Sequence, residues 1–169
     1  MKNIFKLTLV TFLFLSCNNK SEISSVGIVN WENRTIKKQP KEVNVNGSTY
    51  LSVYSQIYSQ TEHRTHNLTA TISMRNANRL DTVYINKAEY FNTKGESIRT
   101  YFENTIFIAP METVEIVIDE KDQEGGTGAN FLFDWSIKQG VSKPLFEGVM
   151  ISTSGQQGLS FTTEGRQVK

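Results

Sequence analysis

The 169 residues hold a single cysteine, Cys17, and only two histidines, His63 and His66. One cysteine excludes an internal disulfide, so the core must stand without a covalent staple. Two histidines leave little for nucleophilic catalysis, which needs a Ser, Cys or Thr activated by a base that a third group orients. No Gly-x-Ser-x-Gly elbow is present, and the chain reads as a non-enzyme. An excess of either charge is also missing, with 18 basic against 17 acidic residues. Such a balance supplies no basic face to follow phosphates, so no nucleic-acid partner is expected. Long apolar runs are absent as well. The stretch from Leu7 to Leu15, interrupted by Thr8 and Thr11, is far shorter than the roughly 18 residues that cross a bilayer as a helix.

That short stretch carries its own meaning. Lys2 and Lys6 precede it, and Leu13-Phe14-Leu15-Ser16-Cys17 close it. A basic start, an apolar centre and a small residue before a cut make a secretory signal. The ending resembles that of signal peptidase II substrates, which implies that residues 1–16 are removed and that Cys17 becomes the acylated first residue. Membrane lipid is then the first partner, because two or more acyl chains hold a protein stably where one holds it marginally. The expected location is the cell envelope, and Asn18 after the cysteine, rather than an acidic residue, implies the outer membrane in a Gram-negative cell. Without Lys2 and Lys6, sixteen basic residues face seventeen acidic ones. Residues 17–46 are rich in Asn, Ser, Lys and Glu, include Pro40, and read as the lipidated cysteine followed by a flexible spacer. Val26, Ile28, Val29 and Trp31 form an apolar island in that spacer, able to pack on the following domain as an extra edge strand.

From Thr49 onward apolar and polar residues alternate with period two. Leu68, Ala70, Ile72 and Met74 take turns with Thr69, Thr71, Ser73 and Arg75, the pattern of a strand with one buried face. The same alternation runs through Val114-Ile116-Ile118, Phe131-Phe133-Trp135-Ile137, Leu145-Val149-Ile151 and Leu159-Phe161. Its phase slips by one residue between Val83-Ile85 and Ala88-Tyr90, which a β-bulge or two successive strands would produce. Asn92-Thr93-Lys94-Gly95 supplies a hairpin, with Gly95 for positive φ. Turn residues separate most segments, and no stretch shows helical periodicity. About eight strands at roughly ten-residue spacing predict an all-β fold, an antiparallel β-sandwich that is immunoglobulin-like in the broad sense, as one domain over residues 47–169.

Four features are candidates for chemistry. Tyr50, Tyr54 and Tyr58 fall on one face of a strand whose other face carries Leu51, Val53 and Ile57; stiff amphipathic rings in a row can stack sugars or dock a protein. Gly126, Gly128 and Asn130 lie in a glycine-rich loop, and Gln156 and Gln157 in a second, so both are ligand-loop candidates. The first loop leads into a strand without helix or lysine, which separates it from a phosphate cradle. Glu62, His63 and His66, in what reads as a loop, offer two nitrogens and a carboxylate to a divalent metal, but three-residue spacing in a loop imposes no ligand geometry. Solvated side chains are the simpler reading, so no metal site and no cofactor is assigned. Asp81-Thr82-Val83 matches an O-glycosylation pattern centred on Thr82.

The segments Tyr50-Leu51-Ser52-Val53-Tyr54-Ser55-Gln56-Ile57-Tyr58, Leu68-Thr69-Ala70-Thr71-Ile72-Ser73-Met74-Arg75-Asn76, Gly125-Gly126-Thr127-Gly128-Ala129-Asn130-Phe131 and Gly155-Gln156-Gln157-Gly158-Leu159-Ser160-Phe161 appear in that order. In them the chain resembles the bacterial family known as domain of unknown function 3124, over residues 47–167. The resemblance implies a small, exported, often lipidated β-rich protein with no assigned activity. Members tend to carry histidine in the tyrosine-rich strand, where this sequence has Gln56 and Ser59, so the resemblance lends no metal role here. The functional expectation is a membrane-anchored, non-catalytic binding or assembly module with a protein or glycan partner. The alternatives are a metal-dependent envelope enzyme and a purely structural lipoprotein.

Overall fold

The computed structural model describes residues 29–153 and 158–169. Cys17, Val26, Ile28, Gln156 and Gln157 lie outside the described residues. Twelve strands run along the described chain: β1 (Val43–Ser52), β2 (Gln56–Ser59), β3 (Thr61–Asn67), β4 (Thr69–Arg75), β5 (Val83–Phe91), β6 (Ser97–Thr100), β7 (Ile106–Ile108), β8 (Thr113–Ile118), β9 (Asn130–Lys138), β10 (Leu145–Ser152), β11 (Leu159–Glu164) and β12 (Arg166–Gln167). Every pairing is antiparallel. One sheet has the order β12-β1-β9-β5-β6, with β7 also on β5; the facing sheet is β11-β10-β4-β8; β2 and β3 form a separate hairpin. The chain is therefore an all-β, antiparallel sandwich in a single domain.

Alternation determines which side chains meet between the sheets. Ala70, Ile72 and Met74 from the second sheet, with Leu68 just before β4, face Phe131, Phe133, Trp135 and Ile137 from the first, and all are buried. The phase slip in β5 is a bulge within one strand: Ile85 pairs with Trp135, the ladder resumes at Lys87 with Asp134, and Ala88 and Tyr90 point inward again. Aromatic rings fill the centre. Phe131 stacks between Tyr90 at 4.7 Å and Phe133 at 5.3 Å, and Phe146 of the facing sheet stacks on Phe133 at 4.3 Å. Trp135 lies over Gly47, its cross-strand partner, and donates its indole N–H to Thr49 Oγ1 at 2.9 Å.

Of the apolar island of the spacer, the described residues Val29 and Trp31 pack on the domain, but not as a strand. Trp31 lies 5.2 Å from the Phe102 ring. Residues Glu32–Arg34 make a 3-10 turn, Thr35 bridges Ile106, and Arg34 reaches Glu112 at 2.7 Å. The first strand begins at Val43, four residues before the predicted boundary at 47, because Val43 already pairs with Lys138.

One further feature places the candidate site. The C-terminal segment belongs to both sheets: β11 pairs with β10, Gly165 turns the chain, and β12 pairs with β1. A Cβ on Gly165 would stand 2.8 Å from the Thr49 methyl and 2.9 Å from Phe146, so only glycine fits where the strand changes sheets.

Candidate functional site

The tyrosine row is interrupted. β1 stops at Ser52 because Val53 N–H turns to Ala129 O, and Ser55, fully buried, donates its hydroxyl to Gly126 O and accepts Leu68 N–H at its own carbonyl. The expectation that Tyr50, Tyr54 and Tyr58 share one strand face is therefore corrected. Tyr50 stays on β1, Tyr54 falls in the connection, and Tyr58 sits on the β2–β3 hairpin, 60% exposed. Period two alone carried no sign of the break, since its cause is hydrogen bonding to a loop some seventy residues away.

Tyr50 and Tyr54 nevertheless meet in one cleft. Its other walls are Ser52 and, from the sheet-changing segment, Thr163, Glu164 and Arg166, enclosing about 370 Å³. Tyr54 is held by an edge-on contact with Phe161 at 5.8 Å. Thr163 donates its hydroxyl to Ser52 O at 2.7 Å and ties β11 to the end of β1. Arg166 is placed by its pairing with Tyr50. Thr163, Glu164 and Arg166 escaped the sequence reading. The one signal for them was Gly165, interrupting a polar terminal strand. Two aromatic rings, two hydroxyl-bearing residues, a carboxylate and a guanidinium make a wall that can stack on a ring and bond to several hydroxyls.

The glycine-rich loop lies at the same end of the sandwich and is occupied with its own bonding. Gly126–Gly128 form a 3-10 turn that leads into β9. Gly128 N–H donates to Thr93 Oγ1 at 2.9 Å, Gly126 N–H bonds Gln123 O, and Thr93 donates back to Gly125 O. A Cβ on Gly125 would stand 1.9 Å from the Tyr90 hydroxyl. The glycines serve close packing on Tyr90 and Thr93, and Asn130 opens β9 opposite Ser52.

Beneath this loop sits the most buried charge cluster. Arg99, with 12% of its side chain exposed, bonds Asp122 at 2.8 Å and Glu124 at 3.0 Å, and Asp122 is 4% exposed. The guanidinium lies over the Tyr90 and Tyr101 rings, at 5.9 and 5.8 Å. Burial opposes the charge on Arg99, but its bonds to Asp122 and Tyr101 outweigh that and hold it protonated above its usual range. Burial also pushes the Tyr90 hydroxyl well up, so it stays neutral.

His63 and His66 lie on strand β3, not in a loop. The turn is made at Gln60, with φ +66, which lets β3 start at Thr61 and pair with β2. His63 lies 3.3 Å from Glu62, both largely exposed, and His66 pairs across from Ile57. Among the described residues no three His, Cys, Asp or Glu side chains are grouped as a metal would need. Thr82 is half-buried just before β5.

Comparison with known proteins bears on this arrangement. The model of a family described as protein of unknown function (DUF3124) matches residues 46–168. The chain belongs to this family. That match takes in β1 through β12 almost entire, and so includes both walls of the tyrosine cleft, the glycine-rich loop and the Arg99 cluster. No curated protein and no solved structure matches the chain.

Proposed function

We propose that this DUF3124 protein is a lipid-anchored, non-catalytic recognition module of the cell envelope, and that the cleft between β1 and β11–β12 takes a saccharide. The observation that carries the ligand class is the pairing of Tyr50 and Tyr54 with Glu164 and Arg166 around about 370 Å³. Sugar rings present apolar C–H faces that stack on aromatic rings, and vicinal hydroxyls that bond carboxylate and guanidinium groups. The Phe161 contact fixes the Tyr54 ring, which lowers the ordering cost of binding. Acylation of Cys17, read from the sequence, would keep the module at the membrane where envelope glycans are concentrated.

Titration of the mature protein with a panel of envelope oligosaccharides, followed by calorimetry, tests this. Binding that is lost in Tyr54→Ala and in Arg166→Ala supports the reading. No heat with any saccharide, from protein whose circular dichroism is native, refutes it.

A further inference from the structure

The two ends of the sandwich differ. The end opposite the glycine-rich loop is built from residues 76–82 and 109–112 and the β9–β10 connection. A buried asparagine welds the first two together: Asn76 Nδ2 lies within 3.0 Å of the carbonyls of Asp81, Ile108 and Ala109, and Asn76 Oδ1 accepts from the backbone and side chain of Asn78. Met111 N–H bonds Asn78 O, and Asn78 reaches Ser142 of the third loop. On this rigid base stand Leu80, 89% exposed, and Met111, 65% exposed. Met111 holds φ +60, a conformation unfavourable to a side chain, yet that side chain is left facing solvent. Folding stability accounts for neither exposure, since apolar surface left in water contributes nothing to it.

Charge and chain direction bear on what this end could meet. Lys41, Arg79, Lys138 and Lys143, the last bonded to Gln167, are exposed around it against exposed Glu42 and half-buried Asp81, while Glu112 is neutralised by Arg34. At the far end Glu62, Glu96 and Glu120 match Arg64, Lys94 and Lys121 while Glu124 is paired with Arg99, so that end carries no such basic excess. The described chain starts on the basic side: Val29, Asn30 and Arg34 line a cleft with Ala109 and Glu112. Between Cys17 and Val29 the backbone can span at most about 40 Å.

We propose that the Leu80–Met111 tip is a membrane-contact surface, seated on the same bilayer that holds the anchor, with Arg79 and Lys143 against anionic headgroups. Two apolar side chains within a basic rim match the boundary between anionic headgroups and acyl chains. The tip turns a tether into an orientation, with the tyrosine cleft and glycine-rich loop directed away from the membrane. The inference rests on the lipid-anchor reading, and the test separates the two.

The lone cysteine makes the experiment clean. The mature protein acylated at Cys17, purified from cells and reconstituted into vesicles of phosphatidylethanolamine and phosphatidylglycerol, has no other thiol, so Leu80→Cys and Lys94→Cys each carry one environment-sensitive fluorophore. A blue shift and quenching by brominated lipid at position 80, with neither at position 94, is the expected result. A label equally wet at both positions, on protein whose mass shows acylated Cys17, overturns the tip alone. Unacylated Cys17 overturns the anchor and the tip with it. Loss of the shift at position 80 in Met111→Ser, or when phosphatidylglycerol is left out, further supports the contact.

Discussion

At the scale of single residues, two positions tolerate almost nothing. Gly47 lies beneath Trp135, where a Cβ would come within 2.3 Å of the ring, and the ring cannot slide because its N–H is fixed on Thr49. Gly47→Ala is expected to cost about 2 kcal/mol or more, as overpacked cores do, read as a lowered urea midpoint. Arg99 is the second. Removing it leaves Asp122 buried without its main counter-charge, and Arg99→Met is expected to cost about 3 kcal/mol or more. In a double-mutant cycle, adding Asp122→Asn should restore part of that loss, since the penalty belongs to the uncompensated charge. Costs that simply add would refute the coupling. Neither residue declared itself in the sequence. Gly47 stood beside an Asn-rich stretch that read as spacer, and Arg99 beside a predicted hairpin, because their demands come from partners eighty-eight and twenty-three positions away.

At the scale of elements, the N-terminal segment shows how tertiary contact replaces propensity. Residues 29–36 have little regular structure to offer, yet the Trp31–Phe102 contact, the Thr35–Ile106 bridge and the Arg34–Glu112 pair bind them to the β7–β8 side. The hydrogen bond from Arg34, helped by the Ala109 amide and opposed by burial, draws the Glu112 carboxyl below the ordinary glutamate value of 4.5. A carboxyl lowered in the folded state contributes stability above its unfolded value and loses it as pH falls through the folded one. The stability gap between the native protein and Glu112→Gln is therefore expected at pH 7 and should shrink below about pH 4.5, by urea titration at both values. Arg34→Ala at pH 7 should cost about 0.5–1 kcal/mol and speed hydrogen exchange at Ile36, whose amide is held by Thr105 O. Most strands were legible from alternation, but β10 has the opposite phase: Phe146, Gly148 and Met150 face inward while Leu145 and Ile151 are exposed, as is Leu159 of β11. The slip in β5 left a bulge and two strands equally open. The break after Ser52 was not legible, because Val53 and Ser55 keep a strand-like pattern while bonding to the glycine-rich loop.

At the scale of the whole molecule, the C-terminal segment fastens one edge of the sandwich. β11 and β12 join opposite sheets through Gly165, and Ser48 exchanges bonds with Val168 and Lys169. Deleting residues 166–169 is expected to leave the core folded while raising amide exchange at Ser48, whose N–H bonds Lys169 O, with no change in the central strand β4. A chain that unfolds outright on that deletion would show the clasp to be part of the core. The deletion also removes Arg166 and should abolish saccharide binding even though both tyrosines remain.

The sequence by itself determined the fold class. Period two, closely spaced turn residues and the absence of a cysteine pair permit little besides an antiparallel sandwich, because alternation is a local property of a strand with one buried face, although in β10 it is Phe146 and Met150, not Leu145 and Ile151, that turn inward. It also carried the resemblance that the family match over residues 46–168 bears out. Only the tertiary structure decided that Tyr50 and Tyr54 meet Glu164 and Arg166 while Tyr58 stands apart, that the glycines pack on Tyr90 and Thr93, and that Leu80 and Met111 share one end. Each of these depends on which distant strands pair and where one changes sheets. Such pairings are settled by the free energy of the whole core, and alternation within one segment holds no record of them.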